Sequence, residues 1–354
     1  MNISVIGYYG NNFGDLLMLK SILSVRKPGA VYTVLTYGDD QALRQQGFII
    51  DNAITVVKLD KANRWRAYKS VIASAAIIWG GGTCFMDEGG TGGIKYMALA
   101  RLFGAKVIYA GIGVDNHKKL KTRAILFFAT LIANALFIRD ASSLQAVRNI
   151  NPWASARTLK QSVDLAYALD TDGTDVTPVR VCSDDYIIVC LRDLEGYCVG
   201  PSSDDYRQLL DVATTLCEQL GVGKVGILNA DAEIDSGVSC YAECLLKDRG
   251  FTVFGISGSD IDTSVAYIKG ARHLLTARLH PAVVAYSVGT PFSLYNYSDK
   301  NKKFTSETHT EARLIQRGAI SDFVPVYKRD STVDERVQKQ RAVSTISEIY
   351  QLLN

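Results

Sequence analysis

The sequence predicts an α/β protein made of two Rossmann-like domains that face one another across a cleft. Three observations carry this. Short β-branched runs alternate with longer helical patterns, the signature of parallel strands covered by helices. The alternation breaks over Asp170–Ser183, a stretch of Asp, Gly, Thr and Pro without apolar period, and then restarts. The chain is 354 residues long and 47% hydrophobic, enough for two cores at roughly 150 residues per domain.

In chain order, Ile3–Gly7, Val31–Leu35, Ala76–Trp79, Lys106–Ala110 and Leu136–Ile138 read as strands of the first domain. Helical patterns at Gly14–Val25, Arg64–Ala73, Gly92–Phe103, Leu120–Ala133 and Ala141–Asn149 fall between or after them. In the second domain the strands are Tyr186–Leu191, Lys224–Leu228, Phe251–Phe254, His273–Thr276 and Phe292–Tyr295. Its helices are Asp204–Leu220, Gly237–Arg249, Ile261–Lys269 and Pro281–Val288. Thr332 and Glu335 fit a capping box for a terminal helix, whose apolar face includes Val333, Val337, Ile346, Ile349 and Leu353. The expected organisation is residues 1–170, a linker at 171–184, residues 185–330, and a terminal helix over 331–354.

Composition excludes several classes. Net charge is 39 − 36 = +3, too small to suggest a nucleic-acid binder on its own, so any basic patch must be local. The N-terminus reads as a strand rather than a signal peptide. The longest apolar run, Ala124–Ile138, is broken by Thr130 and Asn134 and is shorter than the ~18 residues of a spanning helix, so a soluble chain is expected. None of the seven cysteines forms a CxxC pair, and four histidines give no metal signature. Buried free thiols and a reducing cytoplasm are the expectation. No HExxH and no nucleophile elbow are present.

Four loops at predicted strand ends can carry chemistry. Gly7-Tyr8-Tyr9-Gly10-Asn11-Asn12-Phe13-Gly14-Asp15 follows a strand and opens a helix, which suits an anion; an ordinary turn with Asp15 as a first-turn acid fits equally. Trp79-Gly80-Gly81-Gly82-Thr83 implies close backbone approach, and the glycines after Asp87 and Glu88 extend it into a mobile lid or an irregular loop. Arg192, after the first strand of the second domain, can clamp a phosphate or carboxylate, or pair with Asp193 or Glu195. In Thr276-Ala277-Arg278-Leu279-His280-Pro281, Pro281 fits the first helical position. His280 then stands at a helix N-terminus, either as a structural histidine or placed to protonate an anion held by Arg278.

These loops together resemble the polysaccharide pyruvyltransferase family. The matches are Gly7-Tyr8-Tyr9-Gly10 through Asn12 with Gly14-Asp15, then Gly80-Gly81-Gly82, and Ile138-Arg139-Asp140 with Ser142 or Ser143. Ser162-Val163-Asp164-Leu165-Ala166, Arg192, and Arg278-Leu279-His280 followed by Gly289-Thr290-Pro291 complete an ordered set over residues 3–296. Two departures stand out: Leu16 follows Asp15 where the family usually has an acid, and Pro281 replaces a small residue.

The resemblance implies a GT-B-like fold and transfer of pyruvate from phosphoenolpyruvate (PEP) to a sugar as a ketal, with no metal or organic cofactor. Arg192, Arg278, Leu279 and His280 would bind PEP, and His280 would donate the proton. Asn12, Gly14, Asp15, Gly81, Gly82 and Thr83 would hold the acceptor on the first domain, where Asp15 accepts a hydroxyl proton or orients the sugar. The acceptor is lipid-linked or a finished polymer. Two basic segments, Lys58–Lys69 and His117–Arg123, fit peripheral membrane contact, or a solvated helix face at the first and the lead into a buried core helix at the second. Two rival classes stay open: a GT-B glycosyltransferase using a nucleotide sugar, and a non-catalytic subunit of a polysaccharide assembly complex.

Overall fold

Parallel strands occur in both halves of the chain, at most of the places where β-branched residues cluster. A computed structural model describes residues 1–45, 53–169, 185–195, 203–327 and 333–353. The chain divides into two units. Unit 1 is Met1–Gly10, Gly14–Leu169 and Gln338–Asn354, and unit 2 is Asn11–Phe13 and Asp170–Val337. The expected linker at 171–184, Cys182, Cys198 and the Thr332–Glu335 capping pair lie outside the described residues or side chains.

Unit 1 runs β1 (Asn2–Gly7), α1 (Phe13–Ser24), β2 (Val31–Thr36), α2 (Asp40–Gln45), β3 (Ile54–Lys58), α3 (Arg64–Ile72), β4 (Ala76–Met86), β5 (Gly90–Thr91), α4 (Ile94–Leu102), β6 (Lys106–Val114), α5 (Leu120–Ile132), β7 (Ala135–Ile138), α6 (Ala141–Ile150) and β8 (Leu159–Gln161). Its sheet order is β3-β2-β1-β4-β6-β7-β8, all parallel, with β5 antiparallel to β4. From Ile3 to Gly7, β1 is buried throughout, the continuous apolar pattern of a strand covered on both faces. Asp140 caps α6 by accepting from Ser143 N at 2.8 Å.

Unit 2 runs β9 (Tyr186–Cys190), α7 (Ser203–Leu220), β10 (Lys224–Asn229), α8 (Ser236–Asp248), β11 (Thr252–Ser257), α9 (Ile261–Gly270), β12 (His273–Thr276), α10 (Leu279–Ser287), β13 (Phe292–Tyr295), α11 (Asp299–Glu307) and β14 (Leu314–Ile315). Its order, β11-β10-β9-β12-β13-β14, is the doubly wound dinucleotide-fold order counted from β9. Helix α12 (Val333–Leu352) follows, and from Gln338 onward it groups with unit 1. Ala342, Ile346, Ile349 and Leu353 are buried, and Tyr350 donates to Ile22 O at 2.7 Å.

Several expectations are corrected. The Gly80–Gly82 segment does not follow β4 but lies inside it, because β4 continues to Met86 past an irregularity between Thr83 and Phe85. The segment expected as a mobile lid is paired: Phe85 meets Thr91, Met86 meets Gly90, and Asp87 Oδ2 accepts from Lys118 N at 2.8 Å. Asn12, expected on the first domain, groups with unit 2. Helix α10 starts at Leu279, so His280 is its second residue and Pro281 its third.

Candidate active site

In doubly wound sheets, ligands bind beyond the carboxyl ends of the strands where the strand order reverses. In unit 2 that point lies between β9 and β12. Cys190 pairs with Thr276 in the ladder, and Ala277 N donates to Cys190 O at 2.8 Å. Arg192 and Arg278 each follow that pair by two residues. The two guanidinium-bearing residues therefore leave neighbouring strands at the same level.

Their environments differ. Arg192 Nη1 donates to the Tyr297 hydroxyl at 2.9 Å, with its guanidinium carbon 5.0 Å from that ring's centroid. Tyr206 donates to Arg192 O at 3.0 Å. Arg278 occupies the N-cap of α10 in extended conformation, φ −91° and ψ 136°. Thr276 fixes it there: Arg278 N donates to Thr276 Oγ1, and Thr276 Oγ1 donates to Arg278 O, both at 2.9 Å.

The Arg278 side chain, only 8% exposed, is clamped by carboxylates. Its Nε donates to Asp235 Oδ2 at 2.7 Å, and Nη2 lies 2.6 Å from the same oxygen and 3.4 Å from Asp231 Oδ2. Asp235 is fully buried and also accepts from Asp193 N at 3.0 Å. It stands at the N-cap of α8 without capping it, its oxygens being committed to Arg278 and Asp193. Burial pushes the Asp235 carboxyl above its ordinary value, against the pull of Arg278. Asp231 accepts from Asn12 Nδ2 at 3.1 Å, and Phe13 N donates to Ala230 O at 2.8 Å. The expected open clamp at Arg278 is thus an arginine already shared between two acids, with Nη1 outside these contacts.

Leu279 and His280 form the first turn of α10 and are half-buried. Backbone N–H groups of a first helical turn have no partner within the helix, and the helix dipole adds positive potential there. Cys190, beside this turn, is no nucleophile at neutral pH, because burial pushes its thiol up to about 12.

In unit 1, the same switch point lies between β1 and β4. Tyr9 is buried, and its hydroxyl contacts Ile6 O and Gly80 O, each at 3.3 Å. A Cβ on Gly80 would stand 1.8 Å from that hydroxyl, so only glycine leaves room for it. Gly81 and Gly82 have φ of +85° and +78°, turning the strand backbone over α1. A Cβ on Gly82 would sit 3.6 Å from Asp15 Oδ1, which places the Asp15 carboxylate against this glycine. Gly14 is buried at the start of the same helix. Thr83 Oγ1 accepts from Arg139 Nη2 at 3.0 Å, and Arg139 Nη1 meets Asp164 Oδ2 at 2.8 Å. Asp164 Oδ1 also accepts from Ala166 N at 3.0 Å. The Ile138-Arg139-Asp140 and Ser162–Ala166 motifs therefore meet in one buried ion pair that holds Thr83.

The structure groups the expected residues by unit: Asp15, Gly14, Gly81, Gly82 and Thr83 in unit 1; Arg192, Arg278, Leu279, His280 and Asn12 in unit 2. Asp231, Asp235 and Tyr297 join the site without having stood out in the sequence. The acid-rich run from Asn229 to Asp235, which ends one strand and opens a helix, was the available signal for the first two. Among the described residues, no group of three or more His, Cys, Asp or Glu is disposed to hold a metal. No described helix is long and apolar enough to cross a membrane.

Residues 12–299 match the family model described as polysaccharide pyruvyl transferase. No curated protein matches the chain. Solved structures share its fold at low identity. UDP-GlcNAc 2-epimerase from Methanocaldococcus jannaschii is 9% identical with a TM-score of 0.65, covering 99% of this chain and 100% of that one. The Neisseria meningitidis UDP-GlcNAc 2-epimerase bound to UDP-GlcNAc is 10% identical with a TM-score of 0.61, covering 100% and 99%. Anabaena HepE in complex with UDP and glucose is 12% identical with a TM-score of 0.55, again covering 100% and 99%. The fold is thus the two-domain α/β, GT-B-like type of the UDP-GlcNAc 2-epimerases.

Proposed function

The chain belongs to the polysaccharide pyruvyl transferase family, and from that premise we propose that it moves the pyruvyl group of PEP onto two hydroxyls of a sugar, releasing phosphate. The observation that carries this reading is the pair of arginines leaving adjacent central strands at one level, Arg192 and Arg278, with His280 in the following helical turn. PEP carries a phosphate and a carboxylate. Arg192 and the first-turn N–H groups of α10 offer positive potential to one, and the Nη1 edge of Arg278 to the other.

The reaction balances without a cofactor. His280 donates a proton to the methylene carbon of PEP, which becomes a methyl group, and positive charge develops at C2. A sugar hydroxyl adds at C2 and loses its proton. The C2–O bond to phosphate breaks, and the bridging oxygen leaves with the phosphate. A second hydroxyl then adds and closes the ketal. Of the two hydroxyl protons, one restores His280 and one is released with phosphate. A positioned acid contributes about 10²–10⁴-fold. Asp15, beside Gly82, is the residue proposed to orient or deprotonate the acceptor, with Asn12, Gly14, Gly81 and Thr83 as the supporting set.

A cytoplasmic location belongs to the same proposal, supported by the free, buried thiols of Cys84, Cys190 and Cys217. So does membrane contact at Lys61, Arg64, Arg66 and Lys69, all exposed on or just before α3. The function is tested by phosphate release from PEP in the presence of lipid-linked and polymeric saccharides. Wild type releases phosphate only with an acceptor, and His280→Ala loses about two to four orders of magnitude. Turnover of a nucleotide sugar in place of PEP overturns the reading.

A further inference from the structure

Unit 1 carries a row of aromatic rings outside the residues proposed to hold PEP and the acceptor. Tyr8 directly follows β1 and Tyr37 directly follows β2, and their neighbours Gly7 and Thr36 are paired in the ladder. The two rings stack with centroids 5.0 Å apart at 28°. Trp79 backs both, at 6.3 Å from Tyr8 and 6.5 Å from Tyr37. The row continues from Tyr37 to Tyr96 at 6.5 Å, to Tyr68 at 5.8 Å, and to Trp65 at 6.1 Å. Its inner members are buried or half-buried, whereas its two ends are open: Tyr8 is 54% exposed and Trp65 75%.

The Tyr8 end is held rigidly. A Cβ on Gly10 would stand 2.9 Å from Asp39 N, and one on Gly38 2.8 Å from Tyr9 O, so the loops after β1 and β2 are pressed together. Trp79 is fixed in turn by its Nε1, which donates to Gly81 O at 2.9 Å. Asp39, 36% exposed, follows Gly38 and lies 3.8 Å from Lys58. The platform therefore combines a pre-set ring with charged hydrogen-bonding groups, at the carboxyl ends of β1 and β2 and beside Trp79 within β4, where this fold places ligands.

We propose that the open face of Tyr8 is a stacking subsite for a pyranose ring of the acceptor, and that exposed Trp65 supplies a second one for longer saccharides. A pyranose presents an apolar face of C–H groups and a rim of hydroxyls. A fixed aromatic face beside a loop that carries the Asp39 carboxylate complements both, and a tyrosine already stacked loses little freedom on binding. The inference rests on the saccharide acceptor of the pyruvyl transfer reading, but its test does not need PEP.

Wild type, Tyr8→Ala, Trp65→Ala and, as control, Trp153→Ala at an exposed tryptophan elsewhere in unit 1 are titrated with saccharides by saturation-transfer NMR. The probes are methyl glycosides of glucose, galactose, mannose and N-acetylglucosamine, with their disaccharides. At least one glycoside binds wild type. Tyr8→Ala weakens it by roughly fivefold to tenfold, Trp65→Ala weakens only the disaccharide, and Trp153→Ala changes neither. Absence of binding by wild type, or wild-type affinity in Tyr8→Ala, overturns the subsite. Sedimentation with anionic vesicles that is lost in Tyr8→Ala, without glycoside binding, makes the row a membrane contact and overturns it as well. PEP-dependent phosphate release separates the two claims. Sugar binding through Tyr8 without PEP turnover keeps the subsite and removes the transferase reading, and the converse removes the subsite alone.

Discussion

Asp235→Ala tests how the candidate site of unit 2 is held. The substitution removes the oxygen that Arg278 Nε meets at 2.7 Å and Nη2 at 2.6 Å, and the acceptor of Asp193 N at 3.0 Å. Asp231, at 3.4 Å, is the remaining acidic partner in the cluster. Arg278 is too buried for water to replace the lost carboxylate. Breaking a buried pair in this way costs about 3–5 kcal/mol. For a unit of this size each kcal/mol lowers the melting temperature by about 2–4 °C, so a drop of roughly 10 °C is expected by calorimetry. Asp211→Ala is the control: its pair with Arg249 is also short, but the Asp211 side chain is 59% exposed, so the loss stays within about 1 kcal/mol. A shift in Asp235→Ala no larger than in Asp211→Ala refutes the argument that this cluster anchors Arg278.

Three further outcomes follow from the same reasoning. Gly80→Ala, whose Cβ would collide with the buried Tyr9 hydroxyl, lowers stability well beyond Gly104→Ala, which has φ +84° but nothing within 4 Å and costs about 1 kcal/mol; chemical denaturation of both compares them. His273 is held neutral by burial and by Arg313, its value lowered to about 3. The unfolded chain gains a proton below about pH 6.5 that the folded chain refuses, so stability present above that pH falls by about 1.4 kcal/mol per unit as pH drops toward 3. His273→Phe removes about 2 kcal/mol of the loss between pH 7 and pH 5 in urea titrations. Arg192→Lys, which keeps the charge but loses the fork and the stacking on Tyr297, weakens PEP binding by calorimetric titration, and unchanged affinity would remove Arg192 from the clamp.

The long parallel strands were legible because burial on both faces demands continuous apolar runs, as at Ile3–Gly7 and Tyr186–Cys190. β8 and β14 were not, since three and two residues carry no period. Helix α11, Asp299–Glu307, is polar along most of its length and offers no apolar stripe to read. β4 was cut short at Trp79 because glycines normally end strands; here they continue one, since Tyr9 and Met18 occupy the space their side chains would take. The site was half legible. Arg192, Arg278 and His280 announce themselves at strand ends. Asp235 does not, because it lies 43 residues from Arg278 along the chain and only the folded sheet joins them. Arg139 and Asp164 were visible as motifs, but their ion pair and its grip on Thr83 were not.

PEP as the donor, with its carbon–oxygen bond breaking after protonation of the methylene carbon, is the step on which the proposed function turns. It is tested most directly with PEP carrying heavy oxygen at the bridge between carbon and phosphorus, reacted with a saccharide acceptor in deuterated water. All the heavy oxygen is expected to leave in the released phosphate, and the ketal methyl group to carry one deuterium. Heavy oxygen retained in the sugar product, a methyl group without deuterium, or saccharide modification that proceeds only with a nucleotide sugar would contradict it.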